Sequence, residues 1–205
     1  MTSPLTLTIS REVLCVLDEQ AVLAHNRRAK PKHTFRLELG PSAFEGDIDR
    51  ARVVMLLGNP GLDKTSTVLD HTFARAGWPL AALHPEAPPG VRGWWHARLR
   101  ELIFNCGPEV ISQRLACLQI IPWASEKFCD VRLPSRQLLL DVASQCASRG
   151  AVIVIMRAER FWLQSAPVAA SPHRYRANSW RSSYLSSGNL SESGWKHVVK
   201  ALSEA

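Results

Sequence analysis

Val53-Val54-Met55-Leu56-Leu57 runs directly into Gly58-Asn59-Pro60-Gly61. A continuous apolar run without polar alternation fits a strand covered on both faces. The Gly, Asn and Pro cluster then turns the chain. Two further runs share this character, Leu115 to Ile121 and Ala151 to Met156. Helical stretches separate them at Thr65 to Ala76, Gly93 to Asn105 and Ser135 to Ser148. A fourth strand is predicted near Tyr175 to Ser179, and a closing helix over Gly194 to Leu202. Strands alternating with helices predict an α/β fold, a three-layer α/β/α sandwich around a central, mainly parallel four-stranded sheet. Ligands of such sheets bind beyond the carboxyl ends of the strands. That directs attention to Gly58 to Ser66, Pro122 to Asp130 and Trp180 to Ser191.

Upstream, Arg11 to Ala29 carries apolar residues near helical spacing, and Pro31 ends it. Thr34 to Leu39 alternates as a short strand before Gly40-Pro41. Residues 1–50 therefore read as an N-terminal helix and strand extension packed on the core, and residues 51–205 as the α/β domain. The chain has 205 residues, 46% hydrophobic and 21% charged, an ordinary globular composition. A chain of this length buries about 70% of its unfolded surface, so it needs no disulfide framework. The five cysteines include no Cys-x-x-Cys pair, which argues against a zinc site or an iron–sulfur cluster. No metal or cofactor is expected. No run approaches the roughly 20 apolar residues of a membrane span, and the first ten residues lack a signal-peptide pattern. A cytoplasmic location, no membrane partner and a monomer are the default expectations.

The formal net charge is +7, and residues 51–205 supply all of it. Arg174, Arg176 and Arg181 are interleaved with Tyr175, Trp180 and Tyr184, without an acid between them. Basic side chains interleaved with aromatics suit a polyanion that also offers flat rings, which is nucleic acid. The same pattern also fits a solvated loop on a basic protein.

The loop after Leu57 admits two chemical readings. A phosphate loop counted from Gly58 would place its second glycine at Asp63, ahead of Lys64 and Thr65. The Asp removes the tight turn and sets a negative charge against phosphates, so a nucleotide hydrolase is a distant alternative. The other reading is a resemblance. Leu57-Gly58-Asn59-Pro60-Gly61 is similar to the first motif, Gly-x-Asn-Pro-Gly, of the mismatch-specific and single-strand-selective branch of the uracil-DNA glycosylase superfamily. Leu57 stands at the leading glycine. Gln119, three residues before Pro122, occupies the place of that family's base-reading Asn. Arg181-Ser182-Ser183-Tyr184-Leu185-Ser186 resembles the second motif, His-Pro-Ser-Pro-Leu-Ser, through Ser183, Leu185 and Ser186. Arg181 replaces its His.

The resemblance spans roughly 53–202. It implies a DNA repair protein that excises uracil or another altered base flipped from single- or double-stranded DNA. Asn59 would position the water, and Gly58, Pro60, Gly61 and Gln119 would line the base pocket. Arg174, Arg181, Ser183 and Ser186 would hold the DNA backbone. Phe73 and Trp123 are candidates for the aromatic stacked on the base, and Asp63 and Asp130 for an assisting carboxylate. A nucleic-acid-binding relative without catalysis is the main alternative.

Overall fold

Three of the apolar runs become neighbouring parallel strands, because residues that are apolar on both sides can be buried only between two helical layers. In the computed structural model, residues 5–61, 67–179 and 181–204 are described. The strands are β1 (Phe44–Glu45), β2 (Val53–Leu57), β3 (Leu115–Gln119), β4 (Val152–Ile155) and β5 (Arg174–Arg176). Their spatial order is β1-β3-β2-β4-β5. All neighbours are parallel except the β1–β3 pair. The helices begin with α1 (Leu5–Thr8), α2 (Arg11–Asn26), α3 (Val68–Thr72), α4 (Pro89–Arg98) and α5 (Arg100–Cys106). They continue with α6 (Pro108–Arg114), α7 (Arg136–Ser148), α8 (Glu159–Trp162), α9 (Ala166–Ala170) and α10 (Glu192–Ser203).

Alternate residues of the central strands divide between two apolar clusters. Val54, Leu56, Ala116, Leu118, Ile153 and Ile155 pack with α2, α7, α8 and α9. Val53, Met55, Leu57, Leu115, Cys117, Val152 and Val154 pack with α4, α5, α6 and α10. The sheet therefore lies between two helical layers. Among the described residues no helix is long and apolar enough to cross a membrane.

Several expectations need correction. The sheet has five strands rather than four, the addition being the antiparallel edge piece β1. Two residues are too short to show a period. Thr34–Leu39 is not a strand. One 3-10 turn, Pro31–His33, precedes it, and a second, Leu37–Leu39, forms its last three residues. The side chain of Asn26 accepts from Phe35 N and donates to Phe35 O, both at 2.9 Å, supplying what a partner strand would. The expected helix over Gly93 to Asn105 is two helices, because Leu99 leaves helical geometry (φ −110°, ψ 14°). α3 is shorter than the predicted Thr65 to Ala76, whose first two residues lie outside the described residues. The last strand begins at Arg174 and ends at Arg176, short of Ser179.

The first fifty residues are built into the same core. Leu5, Ile9, Leu14, Val22, Phe35 and Ile48 belong to the cluster that holds Val54 and Leu118. α2 is tied there by Asp18, which is fully buried. Its Oδ1 accepts from Ser135 N at 2.9 Å, and its Oδ2 from Ser135 Oγ at 2.7 Å and Trp123 Nε1 at 3.0 Å. Removing the acceptor strands three buried donors, each costing about 1–3 kcal/mol unpaired. Asp18→Ala is expected to destabilise the protein by about 3 kcal/mol or more, read as a lower urea midpoint.

Candidate functional site

The carboxyl end of β2 is where the loops converge, because its buried carbonyls must each find a donor. Leu56 O accepts from Met156 N and Arg157 N, which sets the chain just after β4 beside it. Leu57 O accepts from Ile120 N and from the indole Nε1 of Trp162 at 3.0 Å. Gly58 O accepts from Ile121 N at 2.9 Å. A Cβ at Gly58 would lie 3.0 Å from the Phe128 ring, so glycine lets the 122–130 loop close over this end.

Asn59 is half-buried on that rim. Its Nδ2 donates to Ser125 Oγ at 3.0 Å, Ser125 O at 3.3 Å and Pro60 O at 3.2 Å. Carbonyl oxygens can only accept, which fixes the rotation of the amide and turns Oδ1 away from Ser125. Gly61 also forms a parallel bridge with Ser125. The 122–130 loop is in turn strapped by the N-terminal segment. Ser42 N donates to Pro122 O, Arg36 N to Ala124 O and Lys127 N to Lys32 O.

Gln119 is the register partner of Leu57. It is 5% exposed, and its Oε1 is buried without a hydrogen-bond partner. It continues the face of Leu115 and Cys117, the side covered by α4. Two residues back on that face, Glu45 stands opposite Cys117. Burial pushes the Glu45 carboxyl up to about 7, against the Trp95 indole, whose hydrogen bond lowers it.

Arg181 is exposed, and its carbonyl accepts from Arg157 Nη2 at 3.0 Å. This places the 181–186 turn at the end of β4, next to β2. The turn is held by Leu185 N to Arg98 O at 3.0 Å and by Asn189, whose Nδ2 donates to Tyr184 O and whose Oδ1 accepts from Ser179 N. Asn59, Gln119 and Arg181 thus share one end of the sheet. Their side chains do not form one contact cluster: the Asn59 amide nitrogen faces the 122–130 loop, whereas Gln119 lies on the α4 side.

The remaining candidates are placed as follows. Ser183 is buried and Ser186 half-buried in the turn. Arg174 is exposed at the start of β5, away from the strand ends that carry the others. Asp63 and Lys64 lie outside the described residues. Asp130 is committed to Arg136 at 2.8 Å and Arg160 at 2.9 Å, a structural role. Trp123 is core, bonded to Asp18, so it cannot stack on a base without unfolding that contact. Phe73 is half-buried. Among the described residues no group of His, Cys, Asp and Glu could hold a metal ion, and the five cysteines are free thiols.

Two cavities bracket the sheet. The larger, about 400 Å³, lies at the amino ends of the strands among Arg52, Arg149, Lys200 and Glu204. Arg52 and Arg149 there donate to the carbonyls of Glu204, Ile48 and Ala51, which gives them structural work. The smaller, about 270 Å³, opens at the carboxyl ends of β4 and β5, beside Met156, Arg157, Arg176 and Asn178. Parallel sheets bind at that end, and of the rim residues this cavity takes in Arg157 but neither Asn59 nor Gln119.

No family model, curated protein or solved structure matches this chain. The site therefore has to be read from its own chemistry. Sequence reasoning missed Arg98, Arg157 and Glu45. Arg157 had a usable signal, since it directly follows the apolar run Ala151 to Met156 at a strand end.

The raised Glu45 value has a consequence for stability. The folded chain keeps this proton over a range in which the unfolded chain has lost it. The resulting stabilisation is fully present below 4.5 and is lost as pH rises through about 7. Glu45→Gln is expected to remove that slope. Urea midpoints of variant and wild type compared from about pH 5 to about pH 8 check it, and parallel curves would refute the assignment.

Proposed function

We propose that the protein is a DNA glycosylase-like hydrolase with a uracil-DNA glycosylase-like fold, acting on uracil or another altered base displaced from the stack. The observation that carries this reading is the buried, unpartnered carbonyl of Gln119 at the carboxyl end of a parallel sheet. A buried acceptor left unpaired is costly, and a ligand N–H repays that cost. The imide edge of uracil offers one N–H between two carbonyls, and a carboxamide offers the complementary acceptor and donor. The parallel order β3-β2-β4-β5 also puts the topological switch between β2 and β4, where Asn59 and Arg157 stand.

In this reading the C1′–N bond breaks as water adds to C1′. The electron pair leaves with the base, and the water proton ends on the base or in solvent. Asn59 contributes by position. Its nitrogen is held by Ser125, so its oxygen is oriented to accept from the attacking water. An amide is too weak a base to take the proton outright, so the rest of the acceleration comes from fixed donors and charge near the departing base. The arginines at this rim favour an anionic leaving group and bind the flanking backbone.

The test is an assay of oligonucleotides carrying one uracil or another altered base, in single and double strands. Alkali-labile abasic product is expected. Asn59→Ala should slow its formation by roughly a hundredfold, the scale of losing one preorganised polar group. Gln119→Leu should raise KM and blur discrimination between bases. Failure of every base to yield abasic product overturns the enzymatic reading, and retained oligonucleotide binding would then mark a nucleic-acid-binding protein using the same rim.

A further inference from the structure

We propose that Arg98 and Arg157 form a phosphate subsite that grips the phosphodiester beside the base at the sheet rim. The proposal rests on the base-binding reading above and names the part of the substrate that reading left unassigned.

The placement is fixed by backbone. Arg157 follows β4, and its N–H reaches Leu56 O at the centre of the sheet. Ala158 next to it is in the left-handed region (φ 58°, ψ 30°), the one described non-glycine residue with positive φ. Such geometry in a residue with a Cβ is held only where the surroundings impose it. Arg98 ends α4, and its carbonyl is taken by Leu185 N. Both arginines therefore bracket the 181–185 turn, one through Arg181 O and the other through Leu185 N.

Their side chains are placed but not neutralised. The Arg98 guanidinium lies over Trp94, 4.3 Å from the ring centroid, and 5.2 Å from that of Tyr184. Its Nη1 makes a long contact to Trp94 O at 3.4 Å, and its Nε is buried without a partner. Arg157 spends one donor on Arg181 O. Among the described residues, no carboxylate pairs with either. Other arginines nearby differ: Arg136 and Arg160 share Asp130, and Arg176 pairs with Glu159. Burial, and then the charge of Arg98, hold the Arg157 guanidinium below its usual pKa, so the two cations feel one another. An oxyanion between them would relieve that repulsion and use the idle N–H groups, for which a phosphate has matching geometry. Tyr184, 44% exposed and within 5.2 Å of the Arg98 guanidinium, puts an aromatic ring where a neighbouring sugar or base would pack. This favours a polynucleotide over a bare anion.

The experiment is equilibrium binding of a single-stranded oligonucleotide that contains a non-cleavable deoxyuridine analogue, followed by fluorescence anisotropy across a salt series. Each phosphate near the analogue is replaced in turn by a neutral methylphosphonate. One position is expected to weaken wild-type binding about tenfold or more, as loss of a charge-assisted bidentate contact should. Arg98→Gln/Arg157→Gln should bind correspondingly weakly, lose about 0.7 from the salt slope, and ignore the neutral linkage at that position. Undiminished affinity in a double variant that melts as wild type does overturns the subsite, as does a methylphosphonate effect that survives in the variant. If Arg98→Gln impairs folding, Arg157→Gln alone and the methylphosphonate scan on wild-type protein still decide. Inorganic phosphate and deoxyuridine monophosphate serve as competitors. Displacement by either as effective as by the oligonucleotide would assign the subsite to small phosphates and refute the diester. Because the readout needs no cleavage, a missing abasic product with this pattern intact overturns the glycosylase reading alone. Product formation without the pattern overturns the subsite alone.

Discussion

The organisation of the molecule depends on satisfying the buried backbone at the carboxyl end of β2. Three successive carbonyls, of Leu56, Leu57 and Gly58, are claimed by the chain after β4, the chain after β3 and the Trp162 indole. A central strand buried on both faces cannot leave those oxygens to water. Satisfying them draws three sequence-distant segments to one rim, and polar side chains arrive there with them. Asn59, Gln119 and Arg157 are neighbours in the fold because of backbone accounting that would hold whatever the function.

Much of the core was legible. Val53–Leu57, Leu115–Gln119 and Val152–Ile155 carry continuous apolar runs, which is the strongest signal a buried parallel strand can give. Where local pattern misled, another group had taken the place of the expected partner. Thr34–Leu39 alternates like a strand, but the free edge of β3 goes to Phe44–Glu45, and Asn26 satisfies Phe35 instead. The helix over Gly93 to Asn105 breaks because Leu99 turns into the core, fully buried, and the Arg98 carbonyl finds Leu185. That break is invisible in a stretch without glycine or proline near Leu99.

The site divides in the same way. Asn59 and Gln119 could be found because each interrupts or ends an apolar run. Arg98 could not be singled out in the same manner, since an arginine on a helix ordinarily faces water, whereas Arg157 directly follows the apolar run of β4 and could have been. Only tertiary placement shows that one sits over Trp94 with a buried Nε and that the other lies within reach of its field. Glu45 was hidden for a further reason: a two-residue strand has no periodicity from which an inward-facing acid could stand out.

The 122–135 loop is pinned at both ends by a single carboxyl group, Asp18, through Trp123 and Ser135, and along its length by Lys32, Arg36 and Ser42. The same loop carries Ser125, which orients the Asn59 amide. The opening segment of the chain therefore acts as a remote brace for the rotation of one side chain further along the sequence. Sequence drift in that segment would be constrained by the geometry of an amide it never touches.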